Sequence, residues 1–222
     1  MRLDKPRIRL DRATAHKARS ADVWNAFIEK DDAYPVFVRI DDNGEGRIYA
    51  DPPVDFPGDE LSLEFGEMLY QLRAALDSLV YEVAILDCGQ NPPPGEDKLE
   101  FVVRDSEANF ANAAWHMRPL SDQHREMIKS IQPYHAEYDN EGMKLVSEAL
   151  NTLNDWARKD RHRGLRVLAS WGANKNPLLD HPPECRVEWI VPTPDGLLEY
   201  ESEIAHFKLS GWERGMEAGA NP

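Results

Sequence analysis

The sequence predicts an α+β fold, a helical bundle of four to five helices with two β-hairpins that form a small antiparallel sheet. Two long stretches carry apolar residues at intervals of three and four, as core-facing helices do. Two pairs of alternating β-prone runs flank turn signals. With 41% hydrophobic and 30% charged residues, the composition is that of a globular protein. We expect a single α+β domain over residues 1–210 and a frayed C-terminal tail over 211–222.

The N-terminal part predicts a helix followed by a hairpin. Residues 11–29 have helical periodicity and few helix breakers. The runs 36–40 and 46–50 flank Asn43 and Gly44, a pair that favours tight hairpin turns because both residues tolerate positive φ. Proline-rich residues 51–59 then form a connecting loop.

The clearest helix is predicted over residues 61–86, and prolines 92–94 lie beyond its end. Its apolar stripe consists of Leu69, Leu72, Leu76, Leu79, Val80 and Val83. A short extended segment over 99–103 and two shorter helices over 106–117 and 121–131 follow. Ser121 is expected to cap the second of these.

A second long helix is predicted over residues 141–167, and a second hairpin from the runs 186–191 and 198–209. The core stripe of this helix is expected to contain Leu145, Val146, Ala149, Leu150, Leu153, Ala157 and Leu165. The hairpin is predicted from strict alternation before the turn at 192–196. The two long helices are expected to be antiparallel neighbours.

Charge limits the classes of function. The formal net charge of −14 disfavours broad electrostatic binding to DNA or to anionic membranes, so a polyanion needs a local basic patch. Residues 158–166 contain such a cluster, which also suits the negative end of a helix dipole. Cys88 and Cys185 lie far apart and are typical of reduced thiols. We see no signal peptide or transmembrane span and expect a cytoplasmic protein.

Polar side chains follow one stripe on each long helix with the same spacing of three, four and four. The first stripe is Tyr70, Arg73, Asp77 and Tyr81, and the second is Asn151, Asn154, Arg158 and His162. If these stripes meet, they line a cleft suited to holding a phosphodiester, with His162 as the candidate catalytic proton carrier. The alternative is that Arg73 and Asp77 form an intrahelical ion pair while the second stripe is solvated.

Residues 66–81 (GEMLYQLRAALDSLVY), with 131–134 (IQPY) and 160–163 (DRHR), resemble a group of uncharacterised bacterial proteins. The helix that carries Arg73 is also similar, more distantly, to the motif helix of HEPN domains. That resemblance implies a helical bundle that binds RNA and often cleaves it without metal, using an arginine and a nearby histidine. Here the residue five positions after Arg73 is Ser78, which cannot act as an imidazole does near neutral pH.

Our first hypothesis is therefore a HEPN-like module that binds RNA, with cleavage left open. In it Arg73 and Arg158 hold phosphate, Tyr70, Asp77 and Asn154 complete the binding site, and His162 carries the proton. The alternative hypothesis is a non-enzymatic, acidic module that binds a basic protein partner. No motif indicates a cofactor or a metal ion, we expect no membrane partner, and a homodimer is compatible with the sequence.

Overall fold

The computed structural model describes residues 3–30, 33–135, 141–163, 170–171, 178–194 and 196–221, with the backbone alone at 162, 163, 170, 171 and 221. Within these residues it contains five α-helices and a four-stranded antiparallel sheet, which confirms the predicted α+β class. None of the helices in the described ranges is both long enough and apolar enough to cross a bilayer.

The chain divides into two compact units. One unit, the helical unit, comprises Met1–Ala21 and Glu60–Leu165, and the other, the sheet unit, comprises Asp22–Asp59 and Arg166–Pro222. Each unit has its own cluster of buried apolar residues. Two such clusters are compatible with one folding domain, so the single domain over 1–210 stays a prediction.

The five helices lie in the regions where the apolar periodicity predicts them, although the first begins at Asp4, seven residues before its predicted start. They are α1 (Asp4–Ile28), α2 (Gly58–Cys88), α3 (Glu107–Ala113), α4 (Asp122–Ser130) and α5 (Glu141–Arg163). α3 continues into a 3₁₀ turn over Ala114–Met117. The Ser121 hydroxyl accepts a hydrogen bond from the His124 N–H, which confirms the predicted cap of α4.

The extended segment at 99–103 lies in the core of the helical unit. Phe101, Val102 and Val103 are consecutive and all buried, so both faces of the segment are covered. The segment pairs with no strand in the described part of the chain. Side chains bond its backbone instead: the Gln132 amide donates to the Val102 carbonyl (2.8 Å) and accepts from the Arg104 N–H (2.9 Å).

The buried face of α5 differs from the predicted stripe. Leu150 and Ala157 are buried as expected, but Leu145 is 67% exposed and Val146 is also exposed. Ser147 is buried in their place, and its hydroxyl donates to the Gln132 carbonyl (2.8 Å). Ala149, also part of the predicted stripe, is exposed, and Leu165 lies outside the described residues. The prediction was therefore wrong for Leu145, Val146 and Ala149, because the buried face of α5 includes Ser147, whose hydroxyl is hydrogen-bonded.

The sheet unit is built on the strands β1 (Val36–Ile40), β2 (Glu45–Ala50), β5 (Arg186–Pro192) and β7 (Ser202–Ser210). Their order is β1-β2-β7-β5, so the two predicted hairpins join in one antiparallel sheet. Short strands β3 (Ser170–Trp171) and β6 (Gly196–Leu197) pair with each other, as do β4 (Leu178–Asp180) and β8 (Gly219–Asn221). β8 lies within the segment for which the sequence predicts fraying.

Candidate functional site

The two long helices of the helical unit, α2 and α5, run antiparallel. Near the start of α2, the rings of Phe65 and Trp156 pack edge to face with centroids 5.4 Å apart. Further along α2, Val80 belongs to the same buried cluster as Leu150, which lies earlier in α5. The start of α2 therefore packs on the later part of α5, while the later part of α2 shares a core cluster with an earlier part of α5, so the helices have opposite directions.

A cleft of about 490 Å³ lies between these helices, and we call it the α2–α5 cleft. Its polar lining includes Tyr70, Arg73 and Asp77 from α2, and Asp160 and Arg161 from α5. Close approach of the helices at one end depends on Gly66: a Cβ there would lie 2.9 Å from a carboxylate oxygen of Asp160. Glycine at this position therefore lets the Asp160 carboxylate lie directly against α2.

The sequence-predicted site residues divide into those in the cleft and those outside it. Tyr70, Arg73 and Asp77 line the cleft, and Tyr70 is 55% exposed. Asn154 and Arg158 are not among its lining residues. The Arg158 side chain is 64% exposed and forms a surface ion pair with Asp155 (3.1 Å).

His162, the candidate catalytic residue, lies in α5, but its side chain is outside the described residues. Its role as a proton carrier stays a prediction. The residue that sequence reasoning missed is Arg161, which lines the cleft one position before His162. The signal was present, because Arg161 lies within the basic cluster at 158–166.

Arg73 and Asp77 bind the backbone of the extended segment. Arg73 Nη2 donates to the Phe101 carbonyl (2.7 Å), and the Phe101 N–H donates to Asp77 Oδ1 (2.9 Å). Arg73 Nη2 also lies 3.2 Å from Asp77 Oδ1 and 3.3 Å from Glu100 Oε1. The predicted intrahelical ion pair therefore exists as part of a larger network.

The network leaves Arg73 incompletely bonded. Its side chain is only 13% exposed, and its Nη1 is buried without a hydrogen-bond partner among the described residues. Burial raises the pKa of Asp77, against the lowering effects of the Arg73 charge and the Phe101 N–H. The cleft thus combines a partly desolvated carboxyl with a buried guanidinium, as functional sites and structural ion-pair networks both do.

A second cluster, Asp87, Ser121 and His124, has the residue types of a hydrolase triad but not its geometry. Asp87 Oδ2 (2.7 Å) and Ser121 Oγ (3.1 Å) both contact the same ring nitrogen, His124 Nδ1. A triad needs the serine and the carboxylate on opposite ring nitrogens, because the histidine transfers the serine proton while the carboxylate orients it. The cluster therefore joins the start of α4 to the end of α2 and is not a nucleophilic site.

Within the described ranges, no group of three or more His, Cys, Asp or Glu side chains is arranged to hold a metal ion. Comparisons with protein-family models, with curated proteins and with solved structures give no match. The likeness to HEPN domains therefore depends on the sequence motifs alone.

Proposed function

We propose that the helical unit is an RNA-binding module and that the α2–α5 cleft is its binding site. The observation that carries the proposal is that two arginines from different helices, Arg73 and Arg161, line the same cleft. Guanidinium groups bind phosphate oxygens in a bidentate manner, which makes arginine a preferred phosphate ligand. The half-exposed ring of Tyr70 in the same wall offers a surface on which a base can stack.

The two arginines have different parts in this proposal. Arg73 is anchored by Asp77, Glu100 and the Phe101 carbonyl, so its guanidinium has a fixed position in the wall of the cleft, with its charge offset by the two carboxylates. Arg161 is exposed, and among the described residues its Nε donates a long hydrogen bond (3.3 Å) to the Ala157 carbonyl. Arg161 is therefore the side chain that can turn toward a bound phosphate.

The proposal concerns binding, and cleavage needs a further group. An acid or base that works near neutral pH is required, and Ser78, which also lines the cleft, cannot supply it. His162 stays the proposed proton carrier if the protein cleaves RNA. The bound strand, rather than a cofactor or a metal ion, is the proposed ligand, and we propose that the protein acts in the cytoplasm.

A matched pair of arginine variants on α5 tests the binding proposal. Fluorescence anisotropy with a labelled single-stranded RNA should show roughly tenfold weaker binding for Arg161→Ala, the effect of losing one charge-assisted contact. Arg158→Ala removes the same charge from the same helix outside the cleft, and its affinity should stay within about twofold of wild type. Equal effects of the two substitutions would show that only the overall charge matters and would reject the site.

Cleavage is tested in the same samples. RNA integrity is followed with and without a chelator, for the wild type and for His162→Ala. Chelator-resistant cleavage that disappears in His162→Ala identifies a nuclease, whereas RNA that stays intact in every sample identifies a binding module without activity.

A second candidate function is a non-enzymatic module that binds a basic protein partner. The observation that favours it lies in the sheet unit, where β5 exposes three large apolar side chains, Val187, Trp189 and Val191. Such side chains on an acidic protein are typical of a partner surface. Salt-sensitive binding of a basic protein that is lost in Trp189→Ser but kept in Arg161→Ala would favour this candidate over the first.

A further inference from the structure

We propose that the α2–α5 cleft is one half of a longer groove along α2, and that the groove takes a single strand of about eight nucleotides rather than one nucleotide. This inference rests on the proposed RNA-binding function and extends it. A second cleft of about 270 Å³, which we call the α1–α2 cleft, is lined by Lys5, Tyr81 and Glu96 and shares Asp77 and Ser78 with the α2–α5 cleft. Shared walls make the two clefts neighbours on one stripe of α2.

The length of the groove follows from helix geometry. Its lining on α2 runs from Ser62 to Tyr81, a distance of roughly 28 Å at about 1.5 Å per residue. A stacked single strand advances by about 3.4 Å per nucleotide, so the groove accommodates roughly eight nucleotides. A mononucleotide fills only a small part of it.

Two tyrosines mark the two halves of the groove. Tyr70 lies in the α2–α5 cleft and Tyr81 in the α1–α2 cleft. They are eleven residues apart, close to three full turns, so they project from the same face about 16 Å apart along the helix. Aromatic rings spaced along a groove are the usual stacking platforms for successive bases of a single strand, and they do not depend on base identity.

A positively charged side chain of α1 lies near the ring of each tyrosine. The Lys5 ammonium lies 5.3 Å from the Tyr81 ring centroid, and the Arg9 guanidinium lies 6.0 Å from that of Tyr70. A hydrogen bond from Arg9 to the Gln71 side chain (2.9 Å) fixes this part of α1 beside α2. A positive charge next to each stacking surface is the arrangement that binds a base and its phosphate together.

The charge of α1 favours a polyanion, although the whole chain is acidic. The part of α1 in the helical unit, residues 4–21, contains six lysines and arginines against two aspartates, a net charge of +4 in a chain of −14. The groove itself also contains four carboxylates, those of Glu67, Asp77, Glu96 and Asp160. Asp77 accepts from Phe101 N–H, and Glu96 accepts from the Tyr81 hydroxyl (3.1 Å). The wall formed by α1 therefore supplies the local basic patch that an acidic protein needs to bind RNA.

A length series of labelled oligocytidylates, from two to twelve nucleotides, tests the groove by fluorescence anisotropy. Affinity should rise at least tenfold between two and eight nucleotides and then level off. Tyr81→Ala should weaken the eight-nucleotide strand by about fivefold or more while leaving the dinucleotide unchanged, because a stacked base contributes about that much. Tyr81→Phe keeps the ring and should bind as wild type does, which separates stacking from loss of the Glu96 hydrogen bond.

The matched control is Tyr200→Ala, the same substitution at a 79% exposed tyrosine of the sheet unit, which should leave the length dependence unchanged. Binding that is independent of length yet lost in Arg161→Ala overturns the long groove and leaves the α2–α5 cleft as the site. Absence of binding at every length overturns the groove and the proposed function together.

Discussion

Arg73 and Asp77, one turn apart on α2, bond the carbonyl and the N–H of the same residue, Phe101. A strand partner in a sheet supplies the same pair of bonds. Here two side chains replace it, because the segment at 99–103 is buried and has no neighbouring strand in the described part of the chain. The ion pair thus fixes the extended segment against α2 and also forms part of the cleft wall.

The first prediction concerns the bonds by which Arg73 and Asp77 hold the backbone of Phe101, which we call the clamp. Arg73→Ala should lower the free energy of unfolding by about 2 kcal/mol, because the Phe101 carbonyl and the Asp77 carboxylate both lose a partner. Arg73→Lys keeps the charge with fewer donors and should cost about half as much. Urea denaturation measures both values.

The control for the clamp is Asp155→Asn on α5. Asp155 has exposed partners, Arg158 and Lys159, so its ion pairs should contribute less than about 1 kcal/mol. If Arg73→Ala costs no more than Asp155→Asn, the bonds to Phe101 do not stabilise the fold.

The helices and turns that are determined by residues close together in the sequence could be predicted from it. Apolar residues at helical spacing predict α2 and α5 within a few residues of their ends. The first hairpin follows from Asn43 and Gly44, and Gly44 indeed has φ of +83°, which glycine adopts without strain. Polar spacing on α2 likewise predicts the Arg73–Asp77 ion pair.

Contacts between distant residues could not be predicted in this way. No residue near Ser147 in the sequence indicates that its hydroxyl donates to the Gln132 carbonyl. In the structure this bond places Ser147 on the buried face of α5, and Leu145 is exposed. Successive residues of a helix are rotated by about 100°, so a predicted buried face that is wrong by one residue assigns the wrong side chains to that face. For this reason Arg161, rather than Arg158, lines the cleft.

The second prediction concerns Gln132, which is fully buried. Its amide group bonds the Val102 carbonyl, the Ile128 carbonyl and the Arg104 N–H. Gln132→Leu leaves these backbone groups without partners and should lower the free energy of unfolding by about 3 kcal/mol. Ser147→Ala removes one hydrogen bond from the same region and should cost only about 1 kcal/mol. Similar costs for the two variants would contradict the special role of the Gln132 amide.

The third prediction is a pH dependence at Asp87. Burial acts to raise the pKa of Asp87, but hydrogen bonds from Ser121 and His124 outweigh it and lower the pKa below the usual range of an aspartate. A lowered folded-state pKa means that Asp87 stabilises the fold above about pH 4 and loses this effect as the pH falls through the folded-state value. Asp87→Asn should therefore be less stable than wild type at pH 5, and the difference should shrink toward pH 2.

Denaturation at several pH values between 5 and 2 measures that difference. Asp122→Asn is the control, because Asp122 is 92% exposed and should show little change over the same range. A stability deficit of Asp87→Asn that stays constant over this range would argue against a lowered pKa for Asp87.

The fourth prediction uses the close approach of Gly66 and Asp160 to measure the packing of α2 against α5. Alanine is favoured over glycine inside a helix by about 1 kcal/mol, but its Cβ at position 66 would lie 2.9 Å from the Asp160 carboxylate. Gly66→Ala alone should therefore change stability little, because the gain in helix propensity is offset by the displaced carboxylate. In the Asp160→Ala background the same substitution should stabilise the protein by up to about 1 kcal/mol. A double-mutant cycle from urea denaturation gives the coupling, and a coupling of zero would mean that the two residues do not meet across the cleft.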